Sequence, residues 1–351
     1  MKAEWLKPLL LSCLDKASST GFVIVPIILN GGSTNSKLVR MFIAEKYRRE
    51  SNKVTPVPEI ILESYFAHND RKYHVLFCIV HIVKCVRNAL FRKNNYFQYP
   101  ELVLCTVYVL EAGTCTSKYV KQIYHENKDK LVSNFRMQRN VAFIDNMSKQ
   151  KVKPALALFS KDLTTALKDQ HGNEAIGTCK FLEMFQDYTM QPLLTVSASK
   201  GNKVKEATVF TSKDDIRLKC FHQISSWLIN WYNHVKNLPV NCNKPESEVP
   251  DSNECVNEDD DVISFFMDEN EKNEEKEEYQ QMQGRKALIG GLSEETFFSL
   301  SHTMRSFPDC IVELLETQKF KYVLPGRLFF LCQIFFGLGR PLTGPTQYTR
   351  T

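Results

Sequence analysis

At 351 residues the chain exceeds the usual size of one domain, so two compact units are the starting expectation. Its 43% hydrophobic and 24% charged content supplies a buried core and excludes a wholly disordered chain. The net charge of +5 is unevenly spread: residues 244–278 hold fifteen acids against three lysines, a balance of −12, which leaves +17 for the rest. A body that basic points to an anionic partner, nucleic acid first, and equally to lysines kept for solubility. The eleven cysteines are scattered without a CxxC pair, the pattern of reduced thiols in the cytosol or nucleus rather than a disulfide framework. No signal peptide or membrane span is expected, because Lys7 and Asp15 break the leucine-rich start and the apolar run 75–83 is too short.

In chain order, Trp5, Leu9, Leu10 and Leu14 are spaced as one face of a helix over residues 4–18. After Gly21, the β-branched run 22–29 predicts a strand buried on both faces. Asn30-Gly31-Gly32-Ser33-Thr34-Asn35 reads as a turn with a helix cap, followed by a helix over 37–48. A polar loop then leads to a second buried strand over 73–80 and a basic helix over 81–91. Cys78, His81 and Cys85 fit core positions on that helix face, with a metal site as the minor alternative. From 116 to 238 the apolar spacing is helical, with helices over 119–124, 155–167, 181–194 and 218–235. Residues 239–283 form an acidic linker carrying one apolar hexad, Val262 to Met267, and from 284 the pattern is helical again.

Four segments, in this order, resemble the P-element family of DNA transposases. Asn30-Gly31-Gly32-Ser33-Thr34-Asn35-Ser36-Lys37-Leu38 is similar to the family's D-G-x-S-x-N-x-x-L. His81-Ile82-Val83-Lys84-Cys85-Val86-Arg87-Asn88-Ala89-Leu90 resembles H-L-x-K-x-I-R-N-x-L and is the most specific of the four. Lys151 to Ser160 resembles a stretch of the family's helical insertion. The segment from Phe320 through Arg327-Leu328 to Phe335-Phe336-Gly337 resembles Y-x-L-T-x-R-L-x-Q-D-x-L-E-x-F-F-G. The resemblance implies α/β plus all-α architecture, an incomplete RNase H-like domain interrupted by a helical insertion domain. Its parts would be an N-terminal RNase H-like portion (1–115), an insertion resembling the GTP-binding one (116–238), the acidic linker (239–283) and a C-terminal helical portion (284–351).

Family members cut DNA with two divalent metals held between carboxylates, and hard Mg²⁺ demands anionic oxygen. Here Asn30 stands where the family has an Asp. Phe330 and Gln333 fall on the next two acidic positions, in a segment one residue short of the family pattern, where the neighbours Leu331 and Cys332 are not acids either. The strand carrying the family's first Asp would precede residue 4. Asp15, Glu45 and Asp309 are not spaced to replace these acids. The expectation is therefore a nuclear, transposon-derived chain without cleavage activity or bound Mg²⁺, with the cytoplasm as the alternative location. Sequence-independent DNA contact through Lys84, Arg87, Arg92 and Lys93 is expected, weighed against Arg87 and Asn88 serving as packing groups. GTP comes only from the family resemblance, with Asp187 the candidate for the guanine edge. The rival reading from another class is a protein-interaction module docking through the insertion helices and acidic linker.

Overall fold

The computed structural model describes residues 2–51, 63–93, 95–105, 108–128, 135–146, 148–194, 209–237 and 290–329. Helix α1 (Ala3–Ser19) turns Leu14 into the core with Leu6, Leu10 and Leu11 packed nearby, while Trp5 and Leu9 face outward at 68% and 54% exposure. The expected apolar face is thus split, since Leu10 and Leu14 share the inner side without Trp5 and Leu9. Strand β1 is only Pro26–Leu29, and each of its residues is half-buried. The expected longer strand, buried on both faces, is corrected by topology. Among the described residues β1 is an edge strand of a three-stranded sheet, ordered β1, β3 (Arg71–Phe77), β2 (Tyr65–His68), and Phe22 and Val23 lie exposed before it.

Helix α2 (Ser33–Ser51) follows the Asn-Gly-Gly turn. Strands β2 (Tyr65–His68) and β3 (Arg71–Phe77) form an antiparallel hairpin, with His68 opposite Arg71. Its two-residue turn places Asn69 and Asp70 at φ 48° and 58°, the left-handed pair that suits strand twist and that Asn and Asp tolerate. Strand β3 also pairs parallel to β1, from Pro26 opposite His74 to Leu29 opposite Phe77. Helix α3 (Ile79–Leu90) starts earlier than expected and buries Ile79, Val80, Ile82, Val83, Val86 and Leu90 at helical spacing.

Four short strands, absent from the sequence reading, come next. Strand β4 (Phe97–Tyr99) pairs antiparallel with β7 (Gly113–Cys115), and β5 (Leu102–Leu104) with β6 (Tyr108–Leu110). Together they form one nested ribbon interrupted at Pro100, which has no N–H to give a ladder. The ribbon leans on the helical part: Tyr99 donates to the Gly177 carbonyl at 2.7 Å, and Trp227 Nε1 donates to the Pro100 carbonyl at 2.9 Å. A Cβ at Gly177 would lie 2.6 Å from the Thr114 carbonyl oxygen, so only glycine allows this approach.

The helical part contains α4 (Lys118–Asn127), α5 (Arg139–Ala142), α6 (Val152–Leu158), α7 (Lys161–His171), α8 (Ile176–Met184), α9 (Gln191–Leu194) and α10 (Ile216–Lys236). The single helix expected over 155–167 is two, because Ser160 leaves helical geometry and its hydroxyl caps α7 at Leu163. A π-helical turn, Phe185–Met190, joins α8 to α9. Helix α11 (Glu294–Val312), capped by Ser293, packs against α10 and lies on β3, where Thr303 Oγ1 accepts the Phe77 N–H at 3.0 Å. Trp231 of α10 ties these layers together, its ring centroid 5.0 Å from Phe297, 5.5 Å from Phe97 and 5.8 Å from Phe181. The acidic linker, its hexad, and positions Phe330 and Gln333 lie outside the described residues.

Candidate functional site

Two polar regions lie along α3. The first is formed where the parallel strands β1 and β3 end side by side, the Cys78 N–H donating to the Leu29 carbonyl at 2.8 Å. Asn30 follows β1 directly. Its Oδ1 accepts from the Gly32 N–H at 3.2 Å and from Asn35 Nδ2 at 2.5 Å, so the amide closes the turn into α2. Across from it, His81 sits on the first turn of α3. A Cβ at Gly31 would lie 2.8 Å from His81 Cδ2, which explains glycine there. Burial, then the Lys84 charge, pushes His81 down to about 4, so the imidazole is neutral near pH 7. Cys78 is buried ahead of the helix.

An amide oxygen committed to two donors, a thiol and an imidazole are a poor donor set for hard Mg²⁺. Among the described residues, no group of three or more His, Cys, Asp or Glu side chains is placed to hold a metal ion. The spare carboxylates lie apart and have their own partners. Asp15 accepts from Asn69 at 2.9 Å and contacts His68 at 2.8 Å, Glu45 pairs with Lys7, and Asp309 lies 3.4 Å from His222.

The second region lies along the last turns of α3. Arg87 is fully buried, which corrects its expected role as a phosphate contact. Its guanidinium donates to the Ser148 carbonyl at 2.6 Å and to Asn88 Oδ1 at 3.1 and 3.2 Å. Asn88 Nδ2 in turn donates to the Lys149 carbonyl at 3.3 Å. Arg87 and Asn88 thus serve as packing groups, their target the 148–149 turn. That turn is preformed: the Ser148 N–H donates to Asp145 Oδ1 at 2.5 Å, and Ser148 Oγ accepts the Asp145 N–H at 2.9 Å. The same Ser148 hydrogen bonds, helped by Lys151 and Arg139, hold the Asp145 carboxyl below its ordinary range.

By fastening this turn to α3, Arg87 and Asn88 place Lys149, Lys151 and Lys153 on the surface, all three exposed, next to Lys84. Lys84 Nζ reaches Gln150 Oε1 at 3.4 Å, which brings Lys84 beside the residue between Lys149 and Lys151, and Lys149 Nζ donates to Asn146 Oδ1 at 2.8 Å. Exposed Arg136 and Arg139 precede it in the chain. Lys93 is exposed just past α3, whereas Arg92 is half-buried and burial lowers its pKa. The sequence reading named Lys84 and Lys93 and missed the three turn lysines, although their alternation in Lys149-Gln150-Lys151-Val152-Lys153 is visible. Asp187 lies in the π-helical turn with its Oδ1 3.6 Å from Lys161 Nζ, remote in role from the basic face.

No family model matches this sequence, and no curated protein matches it either. Among solved structures, the chain is similar to the Drosophila P element transposase strand transfer complex, with a TM-score of 0.58 and 16% identity over 93% of this chain. The likeness shows a transposase-like fold. This chain spans 57% of the length of that solved chain.

Proposed function

We propose that this chain is a transposase-derived protein that holds nucleic acid through phosphate contacts and does not cut it. The fold likeness supports the origin. In this reading α1, α2, α3 and the sheet β1-β3-β2 are part of an RNase H-like domain, the helices from α4 to α10 its insertion, and α11 the return to it. The absence of cleavage rests on the donor chemistry at the strand ends, where Asn30 offers a committed amide in place of a carboxylate. Neither Mg²⁺ nor GTP is part of the reading, and a nuclear location follows from the DNA partner.

The observation that carries the binding proposal is the lysine face built by α3 and the 148–153 segment. Flexible ammonium groups on a surface satisfy phosphates without reading bases, so affinity would be sequence-independent and would fall steeply with salt. Titration of labelled duplexes of unrelated sequence across a salt series tests it. Equal affinities and a straight fall of log affinity against log salt are expected. No binding at low salt would favour the protein-interaction module instead. Mg²⁺-dependent nicking that one substitution in this chain abolishes would overturn the non-cleaving half.

A further inference from the structure

We infer that Cys105 and Cys220 are a disulfide-forming pair, a modification site that locks the β5–β6 hairpin onto α10. The two residues are 115 apart in the chain, yet their Sγ atoms lie 3.2 Å from each other, the Cys220 thiol pointing its proton at Cys105. A disulfide needs about 2 Å, so closure asks for a movement of only about 1 Å. The approach is built from both sides. Cys105 follows β5 with φ 47°, a left-handed backbone that a non-glycine residue holds only when its surroundings fix it. Gln223, on the same helix as Cys220, supplies that fixing, since its Oε1 accepts the Cys105 N–H at 2.9 Å and the Cys105 thiol at 3.1 Å.

Access together with proximity distinguishes this pair. Cys105 and Cys220 lie side by side and are both half-buried, within reach of a small disulfide; Cys85 is half-buried as well, whereas Cys78, Cys115, Cys179 and Cys310 are buried. Cys13, on α1, is exposed and offers an internal comparison. With oxidised glutathione as the oxidant, the Cys105 thiolate attacks one glutathione sulfur, forming a mixed disulfide and releasing one glutathione thiolate. Cys220 then loses its proton to solvent and its sulfur attacks Cys105 Sγ, expelling the second glutathione. Two protein thiols are oxidised to one disulfide, and one oxidised glutathione is reduced to two thiols. Burial, followed by the Cys105 contact, pushes the Cys220 thiol up to about 12.

The test treats the full chain with excess oxidised glutathione and maps its peptides without reduction. The expected result is a monomer with Cys105 linked to Cys220, glutathione on Cys13, and a Tm raised by several degrees that reductant reverses. In C220S, which removes the resolving thiol, glutathione should accumulate on Cys105. The proposal fails if Cys13 takes glutathione while Cys105 and Cys220 of the wild-type monomer both remain open to alkylation, a result that needs no variant to fold.

Discussion

The strand-end region and the basic region both lie along α3 and are made from similar polar residues, but they use their hydrogen bonds in opposite directions. At the strand ends, Asn30 and Asn35 turn inward and bond to each other, and His81 is packed against Gly31. In the basic region the inward residues, Arg87 and Asn88, grip a neighbouring turn and thereby leave Lys149, Lys151 and Lys153 in solvent. Burial makes a charged group structural, and the lysines left exposed are the ones proposed to contact phosphate.

Four experiments would break or sharpen this contrast. Arg87→Ala removes the partner of a buried carbonyl and should cost about 3 kcal/mol or more in chemical denaturation. The salt slope of DNA binding should stay unchanged in whatever fraction remains folded. A reduced slope with unchanged stability would put Arg87 back among the phosphate contacts.

Acid pH should weaken the inward side next. Burial holds His81 and His302 each at about 4, against 6.5 for a free histidine. Between those values the unfolded chain binds more protons, so stability present above pH 6.5 is lost as pH falls towards 4. A declining Tm across that window is expected. His302→Phe, which keeps the ring contacts with Phe77 and Phe298, should flatten the decline.

On the outward side, changing Lys149, Lys151 and Lys153 together to Glu should lower the salt slope by about 3 and leave stability within roughly 1 kcal/mol. An unaltered slope would place the DNA contact elsewhere. The smallest effect belongs to Asn30→Asp. The new carboxylate accepts the same two hydrogen bonds, so stability should move by under about 1 kcal/mol. Plasmid nicking in Mg²⁺ should stay at background, because one acid does not assemble a metal pair. Nicking that appears with this change would show that the remaining ligands are in place.

Much of the architecture was legible where periodicity was strong: α1, α2, α3 and α10 fall close to their expected spans, since long amphipathic or buried helices carry many repeats of the signal. The hairpin at Asn69-Asp70 and the ribbon β4–β7 were missed. Three- and four-residue strands give too few alternations, although Leu102, Val103 and Leu104 do alternate in, out and in. At the candidate site, the sequence put Arg87 among exposed cations, because a charge seen on a helix is read as exposed until a partner carbonyl is known.

What the residues alone determined was chemistry: an amide, Asn30, at the end of the first strand, an unevenly distributed charge, and cysteines without a CxxC pair. Tertiary structure decided which of these groups meet solvent. Arg87 lies inside because the Ser148 carbonyl is there to receive it, and Cys105 meets Cys220 across 115 residues because α10 packs on the β5–β6 hairpin. Both outcomes depend on non-local packing, and side-chain spacing along one element carries no information about what lies across from it.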